Sequence, residues 1–248
     1  MNKDINYVLK KTTDNLLHSE IKSVYPLIVY AIGLLVMLVV NVVFDTNTVL
    51  VILLKVIGLI TCVWLFSIVV LNRYIISQKG TILKVHYVSI FSRMLPMVLY
   101  QTIIYILFVV LYVAITALFI DNFYIGTFTM IYYTLLGMIL IIPFTLFYIA
   151  VNLKNVNIVN IVVFVLLILS VPILYFPHQL PNLLSSVLEL NPFYYVVYSI
   201  QLNTIGNHWD INRLPNDILF FSQLAIIYLW MFSFYDRMKY NIYYLPTK

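Results

Sequence analysis

Six stretches of the chain are apolar over about twenty residues each and almost free of charge: Val24 to Phe44, Thr48 to Leu71, Pro96 to Ile120, Ile125 to Val151, Ile158 to Phe176 and Asn216 to Tyr235. A helix needs about 20 mostly apolar residues to cross the ~30 Å of hydrocarbon in a bilayer. Composition agrees, with 63% of the 248 residues hydrophobic and only 9% charged. An ordinary globular domain is roughly half apolar and a quarter charged. These proportions exclude a soluble globular protein, a disordered chain and a disulfide-rich secreted module. The expected fold is an all-α membrane protein with six transmembrane helices. The first span is not expected to be a cleaved signal peptide, because it lies behind 23 polar and amphipathic residues, is long enough to cross, and has no small-residue cleavage site after it. The single cysteine, Cys62, sits inside an apolar run and reads as packing.

Lys and Arg between spans set orientation. Twelve of the fourteen fall on one side: Lys3, Lys10, Lys11 and Lys22 before the first span, Arg73, Lys79, Lys84 and Arg93 in the second loop, Lys154 in the fourth, and Arg237, Lys239 and Lys248 in the tail. Arg213 stands alone on the other side, and Lys55 lies within a span. Both termini are therefore expected in the cytoplasm, in a multi-pass protein of the cell membrane. The net charge of +5 follows from this orientation, and no nucleic-acid partner is expected.

The connections differ in character. Residues 1–23 carry Ile5, Val8, Leu9, Leu16, Leu17 and Ile21 at roughly helical spacing, the pattern of an amphipathic helix in the inner interface that leads into a membrane domain covering 24–248. The loop Asn72 to Leu95 mixes basic residues with Ile82, Val85 and Tyr87, so a basic helix with one apolar flank can dock on lipid or in a groove of a cytoplasmic partner. The outer segment Pro177 to Leu214 is too apolar for a free loop. Its Asn191-Pro192 break, where Asn can cap and Pro can occupy a first helical turn, predicts half-helices over Pro181 to Leu190 and Pro192 to Thr204. Each is too short to span. A re-entrant helical hairpin between the fifth and sixth spans is expected, with a helix pair lying flat on the outer surface as the alternative.

Little in the chain points to chemistry. None of the six glycines begins a phosphate-binding G-x-x-x-x-G-K-[ST] loop. His178, Glu189, His208 and Asp210 would share the outer face, but their spacing matches no recurrent metal or acid/base motif. The chain is therefore read as a non-enzyme that binds no cofactor or metal. Lys55, about seven residues into its span, either snorkels to the headgroups or holds a phosphate. Phe193, Tyr194, Tyr195 and Tyr198 form either an interfacial belt or a surface for stacking on sugar rings.

Four features together resemble a known family. An amphipathic segment precedes the first span. Trp64-Leu65-Phe66 is followed by Ile75-Ile76-Ser77-Gln78-Lys79 and a basic loop ending in Met94-Leu95-Pro96. Ser170-Val171-Pro172-Ile173-Leu174-Tyr175 closes the fifth span, and Leu190-Asn191-Pro192-Phe193-Tyr194-Tyr195 lies in the outer segment. This layout is similar to that of the six-helix permease subunits of ABC transporters of the ABC-2 type, most nearly the branch that exports teichoic acids and other lipid-linked polysaccharides. Two departures are plain: Ile21-Lys22-Ser23-Val24-Tyr25-Pro26 has no tryptophan, and Gln201 stands where many members have arginine.

The resemblance implies a second permease copy, as homodimer or heterodimer, surrounding membrane lipids, and a cytoplasmic ABC ATPase that binds ATP and Mg. It implies a coupling helix carrying Lys79, Ile82, Lys84, Val85, Tyr87 and Arg93, and makes Lys55, Phe193, Tyr194, Tyr195 and Tyr198 candidates for a substrate path. An ABC-2 type exporter of a drug, peptide or lipid would share the layout. A non-transport membrane protein, or an intramembrane enzyme with an outer-face site, is the alternative from another class.

Overall fold

The computed structural model describes residues 20–78, 90–120, 126–152, 181–205 and 214–244. Among these residues there are seven helices and no strand: α1 (Glu20–Val43), α2 (Thr46–Gln78), α3 (Ile90–Phe119), α4 (Thr127–Asn152), α5 (Asn182–Glu189), α6 (Pro192–Ile205) and α7 (Leu214–Tyr244). Five of them, α1, α2, α3, α4 and α7, are long and apolar enough to cross a membrane. The protein is a helical membrane protein. Its Val- and Ile-rich sequences would be indifferent helix formers in water, but hydrocarbon offers backbone groups no partner, and a helix satisfies them within one segment.

The helices overrun the apolar spans. Helix α2 continues through Arg73 to Gln78 and α3 begins at Ile90, so both ends of the expected loop Asn72 to Leu95 are helix, and 79–89 lie outside the described residues. Likewise α1 starts at Glu20, four residues inside the segment expected to be a separate interfacial helix. Hydropathy marks where lipid ends, whereas the helix ends where its hydrogen-bond ladder stops. The rest of the amphipathic segment (1–19), the apolar run Ile158 to Phe176, and Lys79, Ile82, Lys84, Val85 and Tyr87 lie outside the described residues.

Helix α2 is the centre, packed against α1, α3, α4 and α6. Only Phe44 and Asp45 separate α1 from α2, so the two are antiparallel. Asp45 caps α2: its carboxylate accepts from the Thr48 hydroxyl at 2.6 Å, and its carbonyl accepts from the Val49 N–H at 2.9 Å. The Thr48 hydroxyl first, and then the Thr48 N–H, donate to the ionised carboxylate and hold the Asp45 carboxyl below the usual carboxylate range.

A polar ladder sets the register of α2 against α3. Thr61 Oγ1 and the Tyr105 hydroxyl are 2.8 Å apart, Trp64 Nε1 donates to Thr102 Oγ1 at 3.2 Å, and Ser67 Oγ donates to Gln101 Oε1 at 3.5 Å. The numbers rise on one helix as they fall on the other, so α2 and α3 are antiparallel. Several buried threonines return their hydroxyls to the carbonyl one turn earlier, as Thr61 does to Ile57, Thr134 to Met130 and Thr145 to Ile141. Each thereby satisfies itself inside an apolar core.

Trp64 joins three helices. Its ring is fully buried and stacked on Tyr105 at 4.6 Å. Its far edge lies against Gly137 of α4, where a β-carbon would stand 2.9 Å from the ring and 3.1 Å from Val196 of α6. A glycine in α4 is what lets the indole pass between the helices.

Candidate functional site

Of the residues singled out between Pro177 and Leu214, Glu189 lies in α5 and Phe193, Tyr194, Tyr195 and Tyr198 lie in α6, while His178, His208 and Asp210 lie outside the described residues; the two expected half-helices are present, α5 over Asn182–Glu189 and α6 over Pro192–Ile205. Asn191 makes the turn. Its side-chain Oδ1 accepts from the Phe193 N–H at 3.0 Å, its carbonyl accepts from Tyr195 N–H at 3.2 Å, and its own N–H donates to Leu188 at 2.9 Å. Pro192 in the first turn has no N–H to leave unmet.

Helix α6 is not a surface element. It is packed among α2, α4 and α7, and Tyr194, Val196, Val197, Ser199, Ile200 and Gln201 are all buried. Its direction follows from its partners: Phe193 meets Phe144 edge-on at 4.6 Å, Val196 lies by Gly137, and Gln201 Nε2 donates to the Leu54 carbonyl at 2.9 Å. Rising numbers on α6 meet falling numbers on both α4 and α2. So α6 runs from deep beside Trp64 toward the end of the bundle where α2 begins. Gln201 reaches the α2 backbone because Gly58 leaves room, and a β-carbon there would collide with the Gln201 amide.

The aromatic candidates are brought into this packing separately. Tyr194 and Tyr198 stack on each other at 5.5 Å. Tyr195 stacks on Phe220 of α7 at 4.4 Å, meets Tyr133 of α4 edge-on at 5.9 Å, and donates its hydroxyl to the Asp217 carboxylate. Phe193 fits against α4. Lys55 lies nine residues into α2 or ~13 Å along it. It shares a helix face with Val51 and Leu59, which are 38% and 39% exposed, and not with the buried Leu53, Ile57, Ile60 and Trp64. Arg93 lies in the first turn of α3, a helix whose start was expected only at Pro96.

Sequence reasoning missed Trp64, Gln201, Asp217, Gln223 and Tyr228 as the residues that fasten helices together. Gln223 Nε2 donates to the Leu190 carbonyl at 2.9 Å and Tyr228 to the Ile139 carbonyl at 2.8 Å. One signal was available: Pro143 inside an apolar run announces a carbonyl that needs an outside donor. Among the described residues there is no group of three His, Cys, Asp or Glu side chains able to hold a metal. What the arrangement provides is a short, buried, partly polar helix packed against three long ones. The chain matches no protein-family model and no curated protein.

Proposed function

We propose that this protein is the membrane-spanning permease subunit of an ATP-driven exporter with the ABC-2 type layout, moving a lipid-linked polysaccharide or teichoic acid precursor outward through the cell membrane. The observation that carries the reading is the placement of α6, a 14-residue helix that starts deep among long apolar helices and rises toward the α2 start. At 1.5 Å per residue it climbs ~21 Å, less than the ~30 Å of hydrocarbon. Its first turn lies inside the bundle, which supports a re-entrant hairpin over a pair lying flat on the surface.

The directions of the long helices support a sixth crossing. Tyr228 meets Ile139 and Trp230 meets Phe147, so α4 and α7 run the same way. The chain between them must therefore return from the far end of α4 to the near end of α7. Helix α6 covers only part of that return, and the apolar run Ile158 to Phe176 is long enough for a full crossing. With the basic residues inside, α6 then rises toward the outer face.

The chain has no phosphate-binding loop, so its energy comes from a separate ATPase, docked on the segment that joins α2 to α3. That segment leads directly into two packed helices, and a push on it tilts both. The protein, gently solubilised with its native partners, is expected to bring down an ATPase that carries a complete P-loop. Recovery without any nucleotide-hydrolysing partner, together with transferase or hydrolase activity that is lost on His178→Ala or Asp210→Ala, would favour the enzyme reading instead.

A further inference from the structure

Proline has no N–H, so Pro143 leaves the carbonyl of Ile139, four residues earlier, without its helical donor. Ile139 is 41% exposed, and hydrocarbon has no donor to offer there. Tyr228 of α7 supplies it, donating to that carbonyl at 2.8 Å. The two halves of α4 are held differently on either side of this point. Before Pro143, Gly137 is wedged against Trp64, and Tyr133 meets Tyr195. After it, Phe144 meets Phe193 of α6 edge-on at 4.6 Å and Phe147 packs on Trp230 of α7 at 5.2 Å. Helix α7 is the least buried of the five long helices and packs chiefly on α4 and α6.

We propose that α4 pivots at Pro143 and that the Tyr228 hydroxyl is the latch which sets the pivot. While the hydroxyl caps the Ile139 carbonyl, α4 and α7 keep one relative arrangement. When it lets go, the part of α4 beyond Pro143, coupled to α7 through Phe147 and Trp230, swings against the part clamped by Trp64. A backbone carbonyl answered by a side chain from another helix can be released and remade, whereas one answered within its own helix cannot without unwinding it. The latch does not depend on the transport reading.

The test is the dependence of one substitution on the other. Spin labels are placed at Phe128 and Phe232, which are 73% and 64% exposed, on the full-length Cys62→Ala chain in lipid nanodiscs, and the distance distribution between them is measured. The parent should show one narrow distance. Tyr228→Phe should lose it, giving a broad or two-component distribution. Pro143→Ala restores to Ile139 a donor within its own helix, so both Pro143→Ala and the double variant with Tyr228→Phe should return to a single narrow distance. If Tyr228→Phe alone folds poorly, its rescue by Pro143→Ala is the same result in stronger form. An unchanged distribution in Tyr228→Phe, equal broadening with and without Pro143, or failure of Pro143→Ala to rescue would overturn the latch.

Discussion

The side-chain amide of Gln201 packs on the backbone of Gly58 and donates 2.9 Å to the Leu54 carbonyl, bonding the short helix α6 to α2 at a position where α2 has no side chain. A close approach of this kind is how membrane helices gain packing energy when the surrounding lipid is as apolar as their own side chains. Gly58→Val should therefore destabilise the protein by about 1–3 kcal/mol through overpacking. Shortening the intruding residue should relieve part of that loss, so Gly58→Ala with Gln201→Ala should unfold at a higher temperature than Gly58→Ala alone. Thermal unfolding in one detergent or nanodisc preparation reads both effects.

Trp64 is the second anchor, since its ring meets Tyr105 and Thr102 of α3 and lies against Gly137 of α4. Trp64→Ala should cost ~3–5 kcal/mol, as expected for emptying a large buried site. Trp64→Phe keeps much of the volume but gives up the bond to Thr102, and should cost less than half as much. Equal losses for the two substitutions in a thermal or denaturant series would mean that the indole N–H, not its packing, holds the junction.

Asp45 gives the protein a pH-dependent turn. Its carboxyl titrates below the usual range because Thr48 bonds to the ionised form. The cap therefore stabilises the start of α2 above the unfolded carboxyl value, and this contribution is lost as pH falls through the depressed folded value. Amide exchange over residues 46–49, corrected for its intrinsic pH dependence, should accelerate below that point. Asp45→Asn keeps a capping oxygen and should remove the pH dependence, not the cap.

The sequence disclosed the long helices and the α5–α6 break, because both rest on local chemistry. Twenty apolar residues cannot avoid the bilayer, and Asn191-Pro192 can end one helix and begin another. Pairing was not legible for a physical reason. In water an amphipathic stripe marks the buried face of a helix, but in lipid Leu35 and Leu53 are equally apolar although the first is exposed and the second buried. Faces are told apart only by small and hydroxyl residues such as Gly58, Gly137, Thr61 and Thr102, and their partners lie on other helices. The same limit applies at Pro143: an unmet carbonyl is implied by the sequence, but not that Tyr228 on α7 meets it.

Orientation is tested by chemistry at two positions. Cysteines introduced at Ser77 and Asn207 on a Cys62→Ala background should react with an impermeant thiol reagent from opposite sides of the membrane, Asn207 from outside. Labelling of both from outside would contradict the proposed six crossings and the parallel course assigned to α4 and α7.

The most direct test of the proposed function is the ATP hydrolysis rate of the partner ATPase, measured in proteoliposomes with this protein and with its Val85→Asp/Tyr87→Ala variant. Buried aromatic and aliphatic anchors carry most of the energy of an interface, with ~2 kcal/mol or more lost when one is truncated, and basic neighbours such as Lys84 mainly set approach and orientation. The wild-type chain is expected to bind and stimulate the ATPase, and the variant to insert normally but do neither. Normal binding and stimulation by the variant would contradict the coupling assignment, and a wild-type chain that neither binds nor stimulates any ATPase would contradict the transporter reading itself.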